Sequence, residues 1–421
     1  MTSAHAHHWH YKLFEQYLNT FFRETGVDVR ENLLSRPEDL TWEGQQATDS
    51  DLYFRYRFTA PDTVLYGSLK HLSLTGYHRY GHRFWLQQGS ASAASELTDI
   101  RPLLRLICEQ LAHDAGGETE RVAAAATLYE SMCNSVDKSR FFLDARRLQA
   151  DGPSVVDDFT AAEQGMVLGH PFHVTSKAST GLSEQDMRHY SPELGASFKL
   201  HYFAVAPALV QTLSAGAEVA QLIDPATQRE ARQQLEELAG QYQLVPCHPW
   251  QASFLLDQAE VRRKLEEGDI MSLGPLGQVA WPTSSVRTVW LPQSGLFLKL
   301  SLDVRITNFI RNNPLDQAKR AIDASRLINL MTPDERSESL CLLPELAAQT
   351  LKLPGLEASF GIIYRAGLAP ETLAQTRVLG SLVEECPVTG ALPLRHYLQQ
   401  AAQVAGTPIT RGFVCDWWQQ Y

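Results

Sequence analysis

The sequence has few cysteines, and no two of them lie at a redox or metal-binding spacing. Six cysteines are spread over 421 residues, from Cys108 to Cys415, and none belongs to a CxxC pair. The chain therefore gives no support for a zinc ribbon or a thioredoxin-like site. Reduced cysteines in the cytoplasm are the simplest interpretation.

Long hydrophobic runs are also missing. No stretch of about 18 apolar residues occurs, and the N-terminus lacks the apolar segment and cleavage site of a signal peptide. We therefore expect no membrane contact and a cytoplasmic location. The formal net charge of −11 disfavours nonspecific binding to nucleic acid or anionic membranes, but it permits a local basic pocket.

The common nucleotide-binding motifs are absent as well. The chain contains no GxxxxGK[ST] loop and no GxGxxG that opens a βα unit. The segment "FLKL", residues 297–300, is similar to the lysine strand of protein kinases, but no HRD or DFG motif follows it. A nucleotide site in this chain must therefore belong to another scaffold.

The chain length suits two or three domains. Residues 11–25 have the apolar spacing of an amphipathic helix, residues 51–88 predict short antiparallel strands, and residues 95–150 return to helix. This order predicts an α+β fold. Turn-forming residues that begin at Asp151 indicate a boundary. We predict three domains, at residues 1–155, 156–395 and 396–421.

Residues 283–311 carry the clearest pattern in the sequence. Apolar and polar side chains alternate from 298 to 307, which predicts one half-buried strand with a partly basic face. Residues 286–291 predict a second strand, and the turn "PQSG" joins the two into a hairpin. The simplest register places Thr288 opposite Lys299 on the polar face. In that register Arg287 points away, and only a bulge or a slip would bring it to this face.

A helix is predicted after this strand. Asn313 suits its N-cap, Pro314 its first position and Asp316 its first turn, and Arg311 lies at the junction. A face with lysine, hydroxyls and arginines suits a polyanion, because arginine grips phosphate or carboxylate in a fork and lysine acts as a point charge. The alternative is a solvated outer face of an edge hairpin.

The segment "GHPFHVTSK", residues 169–177, allows a metal site, a phosphate-binding turn or an ordinary turn. A zinc or iron site at His170 and His173 is disfavoured because no third ligand lies at a metal spacing, so we predict no metal ligands. A role for His170 on a phosphate, helped by Lys177, remains open beside a structural turn. For His248 in "HPWQ", we expect a buried histidine at a strand-to-helix turn beside Trp250.

The segments "GHPFHVTSK", "VPCHPWQ", "TSSVRT" and "LKLSLDVRITNFIR", in this order and spacing, resemble the NRPS-independent siderophore synthetases of the aerobactin-synthetase type. The resemblance covers most of the chain. It implies a cupped-hand fold with an α+β thumb, fingers built on a β-sheet and a helical palm. It also implies an enzyme that uses ATP and Mg²⁺ to adenylate a carboxylic acid, commonly citrate. An amine or hydroxyl nucleophile then displaces AMP.

The resemblance also implies the site residues. The nucleotide contacts it implies are Ser285, Arg287, Thr288, Lys299 and Lys177. Arg311, near the α-phosphate and the acid, and His170, on the phosphate side, are the implied catalytic residues. Thr307 would contact the carboxylate substrate together with Arg311.

Two departures from the family pattern stand out. Val174 replaces a proline and Ser179 stands where an arginine is frequent. The chain also ends near the start of the palm, so we expect a truncated enzyme, a split gene product or a fragment. The expected protein partners are a palm domain supplied in trans or a second copy in a homodimer. Two alternatives stay open: a non-catalytic accessory protein that keeps the scaffold, and a small-molecule phosphotransferase that releases ADP.

Overall fold

The computed structural model describes residues 4–34, 52–89, 93–148, 158–331, 341–373, 376–386 and 390–419. The chain forms two compact units, one of Met1–Asp144 with Leu168–Ala178 and one of Ala145–Val167 with Ser179–Tyr421. Both contain helices and antiparallel strands, so the predicted α+β class is confirmed. The predicted domain boundary between residues 155 and 156 lies outside the described residues. No described helix is long and apolar enough to cross a membrane.

The first unit packs an amphipathic helix against an antiparallel sheet. Leu13, Phe14, Tyr17, Leu18 and Phe21 recur at helical spacing and are buried, which confirms the predicted helix. The strands predicted for residues 51–88 are also confirmed. The elements are α1 (Ala4–Thr25), β1 (Leu33–Leu34), β2 (Leu52–Thr59), β3 (Asp62–His71), β4 (Arg79–Gln88), β5 (Ser95–Glu96), α2 (Arg101–Asp114) and α3 (Thr119–Leu148). The sheet has the order β1-β2-β3-β4-β5.

The second unit contains the remaining elements. The helices are α4 (Phe159–Gln164), α5 (Glu184–Tyr190), α6 (Val219–Leu222), α7 (Pro225–Leu235), α8 (Pro249–Leu256), α9 (Ala259–Glu266), α10 (Leu315–Leu330), α11 (Pro370–Leu373), α12 (Leu379–Val383), α13 (Pro393–Ala405) and α14 (Arg411–Gln419). The strands are β6 (Ser179–Thr180), β7 (Phe198–Val205), β8 (Val210–Ser214), β9 (Gln243–Cys247), β10 (Ile270–Pro282), β11 (Thr288–Leu291), β12 (Leu296–Lys299), β13 (Leu302–Ile306), β14 (Phe309–Arg311), β15 (Glu345–Leu351) and β16 (Ile362–Ala366).

An eight-stranded antiparallel sheet organises the second unit, in the order β8-β15-β16-β12-β11-β10-β7-β9. The predicted hairpin register is confirmed, since Leu291 pairs with Leu296 and Thr288 with Lys299. Because side chains alternate along a strand, Leu296 and Leu298 enter the main core, while Phe297 and Lys299 take the opposite face. On that face Phe297 packs with Phe159 and Trp290.

The prediction of one continuous strand from 298 to 307 is wrong. The chain leaves the large sheet after Lys299 and forms β13 in a separate three-stranded sheet, of order β14-β13-β6. Ser301, expected on the polar face, is buried at the break. Its hydroxyl lies 3.0 Å from the Asn313 amide nitrogen and 2.7 Å from the Gly361 carbonyl oxygen. These bonds replace the ladder contacts that would have continued the strand.

The predicted N-cap of α10 is also wrong. Asn313 does not cap this helix: Pro314 occupies the N-cap position and makes no side-chain cap bond. The Asn313 side chain is instead buried and bonded to other segments. Asp316 lies in the first turn, as predicted.

Candidate functional site

The loop from Thr283 to Thr288 joins β10 to β11 and carries three of the predicted residues. Val286 has a φ of 67°, a left-handed conformation that is unusual for a β-branched residue and costs about 1–3 kcal/mol. Thr283 closes the turn, because its amide and hydroxyl both donate to the Thr288 carbonyl at 2.9 Å. The Ser285 hydroxyl accepts from the Thr288 amide at 3.1 Å. The loop therefore has a defined shape without a ligand.

This strained turn places Arg287 outside β11, so the alternation of side chains along the strand does not fix the direction of its side chain. Val286 and Arg287 precede β11 rather than belonging to it, so the strand begins two residues later than predicted. Arg287 is only 9% exposed. Its Nη1 donates to the carbonyl oxygens of Arg311 and Asn312, both at 3.0 Å, and to Oδ1 of Asn313 at 2.8 Å. Burial, with a smaller contribution from the Arg311 charge, lowers the pKa of Arg287 to about 10.

Lys299 ends β12 on the same face as Thr288. Burial lowers the pKa of its ammonium group, and the nearby charges of Arg287, Arg365 and Arg311 lower it further. Only Glu345 acts in the opposite direction among these causes. The Lys299 ammonium makes no hydrogen bond and no salt bridge to any residue in the described part of the chain. It is a partly desolvated cation beside other cations.

Arg365 and Glu345 complete the surroundings of Lys299, and neither was predicted from the sequence. Arg365 pairs with Phe297 across β16 and β12, so it shares the face of Lys299. Its Nη2 lies 2.6 Å from Oε1 of Glu345. This ion pair holds the Arg365 guanidinium while neutralising part of its charge. The sequence signal for Arg365 is weak, because one arginine in a short strand has no distinctive spacing.

Thr307 and Arg311 form a second pair. Thr307 has a φ of 58°, and Arg311 Nη2 donates to its hydroxyl at 2.6 Å. Burial lowers the pKa of Arg311. The hairpin of β13 and β14 therefore brings together the hydroxyl and the guanidinium that the sequence analysis assigned to a carboxylate.

The second unit thus gathers six of the eight predicted site residues: Ser285, Arg287, Thr288, Lys299, Thr307 and Arg311. Arg287, Arg311 and Arg365 lie close enough to Lys299 for their charges to lower its pKa, and Glu345 is the carboxylate that opposes them there. Such a group is costly without a counterion. An anionic ligand would relieve that cost, so the arrangement suits a polyanion such as a polyphosphate.

Another residue missed by the sequence analysis holds the loop. One carboxylate oxygen of Glu163, on α4, accepts hydrogen bonds from the amide and the hydroxyl of Ser284, at 2.9 and 2.7 Å. Glu163 lies 121 positions before Ser284 in the chain. Local sequence patterns cannot reveal a contact of this separation.

His170 and Lys177 belong to the first unit. The His170 ring is exposed, and its Nδ1 accepts from the Phe172 amide at 3.2 Å. Nε2 of Gln16 donates to the carbonyl oxygens of His170 and His173, at 2.8 and 3.1 Å, and so anchors the segment to α1. Lys177 is 8% exposed. The segment is therefore an ordered turn, and the predicted contact of these two residues with phosphate stays a prediction.

The prediction for His248 is confirmed. The residue is buried between β9 and α8, and its Nδ1 accepts from the Trp250 amide at 3.1 Å, which caps the helix. Burial lowers the pKa of its imidazole to about 3. His248 is thus a neutral structural residue.

The described residues contain no preformed cluster of metal ligands. No group of three His, Cys, Asp or Glu side chains among these described residues could hold an ion. Mg²⁺ in nucleotide enzymes commonly takes one or two carboxylates together with substrate phosphates. Donors in the described part of the chain therefore fit Mg²⁺ only when phosphates supply most of its ligands.

Comparison with known proteins identifies the family of this chain. Residues 158–384, just over half of the chain, match the model of the IucA / IucC family. The L-2,3-diaminopropanoate–citrate ligase of Staphylococcus aureus is 30% identical over 94% of this chain, and the match covers 66% of that relative. The spermidine-citrate ligase of Bacillus anthracis is 26% identical over 83% of this chain and is covered to 59%. This chain thus spans less than two thirds of the length of these relatives.

A solved structure of a siderophore synthetase has a similar fold. The ATP-bound aerobactin synthetase IucA of a hypervirulent Klebsiella pneumoniae pathotype superposes with a TM-score of 0.77 at 25% identity. The superposition covers 94% of this chain and 68% of that structure. Together with the family match and the 30% identical relative, this shows that the chain belongs to the IucA/IucC family of siderophore synthetases.

Proposed function

We propose that this chain is an ATP-dependent ligase of siderophore synthesis, which adenylates citrate or a similar carboxylic acid and transfers the acyl group to an amine. The observation that carries the proposal is that buried Arg287 and half-buried Lys299 lie near each other. Neither cation has a carboxylate partner of its own among the described residues. Two relatives are named as citrate ligases that use amines, and the aerobactin synthetase was solved with ATP.

The roles of the residues follow from their surroundings. Nη1 of Arg287 is held by main-chain and amide oxygens, while its Nε and Nη2 make no hydrogen bond to any described residue. Those groups and the Lys299 ammonium would bind the phosphates. A bound nucleotide would thereby supply the counterion that these cations lack. Ser285 and Thr288, in the same loop, would contact the nucleotide.

Adenylation brings a carboxylate and a triphosphate together, so their repulsion must be offset. An oxygen of the carboxylate attacks the α-phosphorus, the bond to the β-phosphate oxygen breaks, and pyrophosphate leaves. Arg311, bonded to Thr307 at 2.6 Å, would hold the carboxylate and the charge that grows on the α-phosphate. Mg²⁺, when bound to the phosphates, would neutralise the leaving pyrophosphate.

The second step transfers the acyl group. The nitrogen of an amine attacks the acyl carbon, the bond to the phosphate oxygen of AMP breaks, and the amine proton goes to solvent or to a nearby base. The names of the relatives favour a small polyamine or a diamino acid over a hydroxyl compound. AMP is the expected product, whereas a phosphotransferase would release ADP.

The experiment that tests the proposal is citrate-dependent ATP–pyrophosphate exchange by the 421-residue chain in the presence of Mg²⁺. Exchange that requires citrate supports adenylation. ATP binding without exchange would mean that these residues form the nucleotide site but do not suffice for chemistry, and it would favour the accessory role. No ATP binding at all would overturn the proposal.

A further inference from the structure

Asn313 lies between the Arg287 side chain and the main chain of Lys299, although it was expected to cap a helix. It is 1% exposed. Its Oδ1 accepts from Nη1 of Arg287 at 2.8 Å, and its Nδ2 donates to the carbonyl oxygens of Lys299 and Gly361, at 2.8 and 2.9 Å. The amide therefore links the two predicted phosphate ligands to each other through one rigid side chain.

Only an amide suits this position. The side chain must accept a hydrogen bond from a guanidinium and donate two to carbonyl oxygens, and a buried group that fails to do so leaves polar atoms unpaired. A carboxylate would accept from Arg287 with one oxygen but would place its other oxygen, an acceptor, against the two carbonyl oxygens of Lys299 and Gly361. It would also neutralise the cation that a phosphate needs.

The main chain of Asn313 is fixed as firmly as its side chain. Its amide donates to the Ser301 hydroxyl at 3.0 Å and to the Ala358 carbonyl at 3.1 Å. A Cβ at Gly361 would lie 2.2 Å from the Asn313 carbonyl oxygen, so the backbones meet too closely for any other residue there. Asn313 thus has a single position, and it transmits that position to Arg287 and Lys299.

We propose that Asn313 is the positioning residue of the phosphate site: it holds Nη1 of Arg287 and the main chain of Lys299, so that the remaining donors of both residues stay available to a bound polyphosphate. This inference rests on the proposed function. It assigns Asn313 no contact with the nucleotide, and its effect passes through the two cations. Loss of Asn313 should therefore weaken binding of the phosphates and spare binding of the nucleoside.

The test compares Asn313→Asp with the unmodified chain for binding of ATP and of adenosine, both by competition against a fluorescent ATP analogue. We expect ATP affinity to fall about 30-fold or more, since a hydrogen bond to a charged group is worth about 1.5–3 kcal/mol. Adenosine affinity should change less than about twofold, because no phosphate is involved. Asn313→Ser, which keeps a small polar group, should lose ATP affinity about tenfold and carries the test if the aspartate variant does not fold.

Gln278→Glu is the matched control. Gln278 is a mostly buried amide of the same sheet that bonds to Ser294 and to the Gln293 amide, at the far end of the β11–β12 hairpin. The same change from amide to carboxylate there should destabilise the fold and leave ATP affinity within about twofold.

Three outcomes would overturn the inference: a folded Asn313→Asp or Asn313→Ser protein that binds ATP like the parent, equal losses for ATP and adenosine, or an equal loss in Gln278→Glu. If the unmodified chain binds no ATP, the proposed function is wrong and this inference is wrong with it. If the unmodified chain binds ATP and one of the three outcomes above is found, only this inference is wrong.

Discussion

Two regions of this molecule combine basic residues with hydroxyls, and the sequence analysis predicted a phosphate contact in both. The surroundings of the basic residues differ between the two regions. In the region of Arg287 and Lys299, cations are partly desolvated beside one another, and Lys299 has no ion-pair partner among the described residues. In the segment of residues 169–177, the His170 ring is exposed, and much of the hydrogen bonding closes local turns or joins Gln16.

The difference shows what turns a basic motif into a binding site. A buried cation that already has a partner in the fold, as Lys177 has, gains little from a new ligand. A cation that the fold has desolvated beside like charges gains a great deal. The first region is therefore preorganised for an anion, and the second is an ordered turn whose contribution depends on what comes to it.

The largest effect is expected at Arg287. Arg287→Met removes a buried charge whose Nε and Nη2 make no hydrogen bond to the described residues, so ATP affinity should fall by about 10²–10³-fold. Arg287→Lys should lose nearly as much ATP affinity as Arg287→Met, because one ammonium group cannot bind both the anchoring oxygens and a phosphate. Calorimetric titration with ATP measures both variants. Retention of affinity in the methionine variant would remove the distinction between the two regions.

A second test acts on stability. At Gly361 an added Cβ would meet the Asn313 carbonyl oxygen at 2.2 Å and its Cβ at 2.7 Å. Gly361→Ala should therefore lower the free energy of unfolding by about 1–3 kcal/mol, measured by urea denaturation. Gly240→Ala is the control: neither Gly240 nor Gly361 has a positive φ, and a Cβ at Gly240 meets nothing within 4 Å. An equal loss in both variants would mean that the loss of glycine itself, rather than crowding at Asn313, sets the effect.

The pH dependence of ATP binding gives a third test. Burial lowers the pKa of Lys299 below its usual value and that of Arg287 to about 10. Both cations bind phosphate only when protonated, so ATP affinity should fall as pH rises through these lowered pKa values. In Lys299→Met the decline should be shallower, because only Arg287 is left to titrate. Affinity that does not fall as the pH rises through about 10, the pKa of Arg287, would contradict the desolvation of these groups.

The smallest effect is expected at His170. Its Nδ1 accepts a hydrogen bond from the main chain, so only Nε2 of the ring is left to donate to a phosphate. His170→Ala should slow pyrophosphate exchange about fivefold, the value of one hydrogen bond, and lower the melting temperature only slightly, because the ring is exposed. A loss as large as that of Arg287→Met would show that the two regions contribute equally.

Local patterns predicted much of this fold. The apolar spacing of α1, the aromatic strands β2 to β4 and the β11–β12 hairpin with its register all follow periodicities that the chain displays over short distances. The same periodicity misled where a long-range contact overrode it. Alternation continues from 298 to 307, but Ser301 bonds to the segment near Gly361 and breaks the strand.

The site residues that belong to a recognisable sequence motif were predictable. The residues that act only through contacts made by the fold were not. Arg287 and Lys299 stood out by residue type and position. Glu163, Arg365 and the true role of Asn313 did not, because each acts through contacts with residues distant in sequence or across strands. Asn313 followed by Pro314 has the local appearance of a helix start, and only the buried carbonyls of Lys299 and Gly361 give its amide another function.

The measurement that tests the central claim most directly is the ATP affinity of Lys299→Met beside that of Lys177→Met, by calorimetric titration of folded proteins. Each change removes one ammonium group, one from each of the two regions. We predict a loss of about 100-fold or more for Lys299→Met and less than about tenfold for Lys177→Met. If Lys299→Met binds ATP as tightly as the parent, the desolvated cations of the second unit are not the nucleotide site.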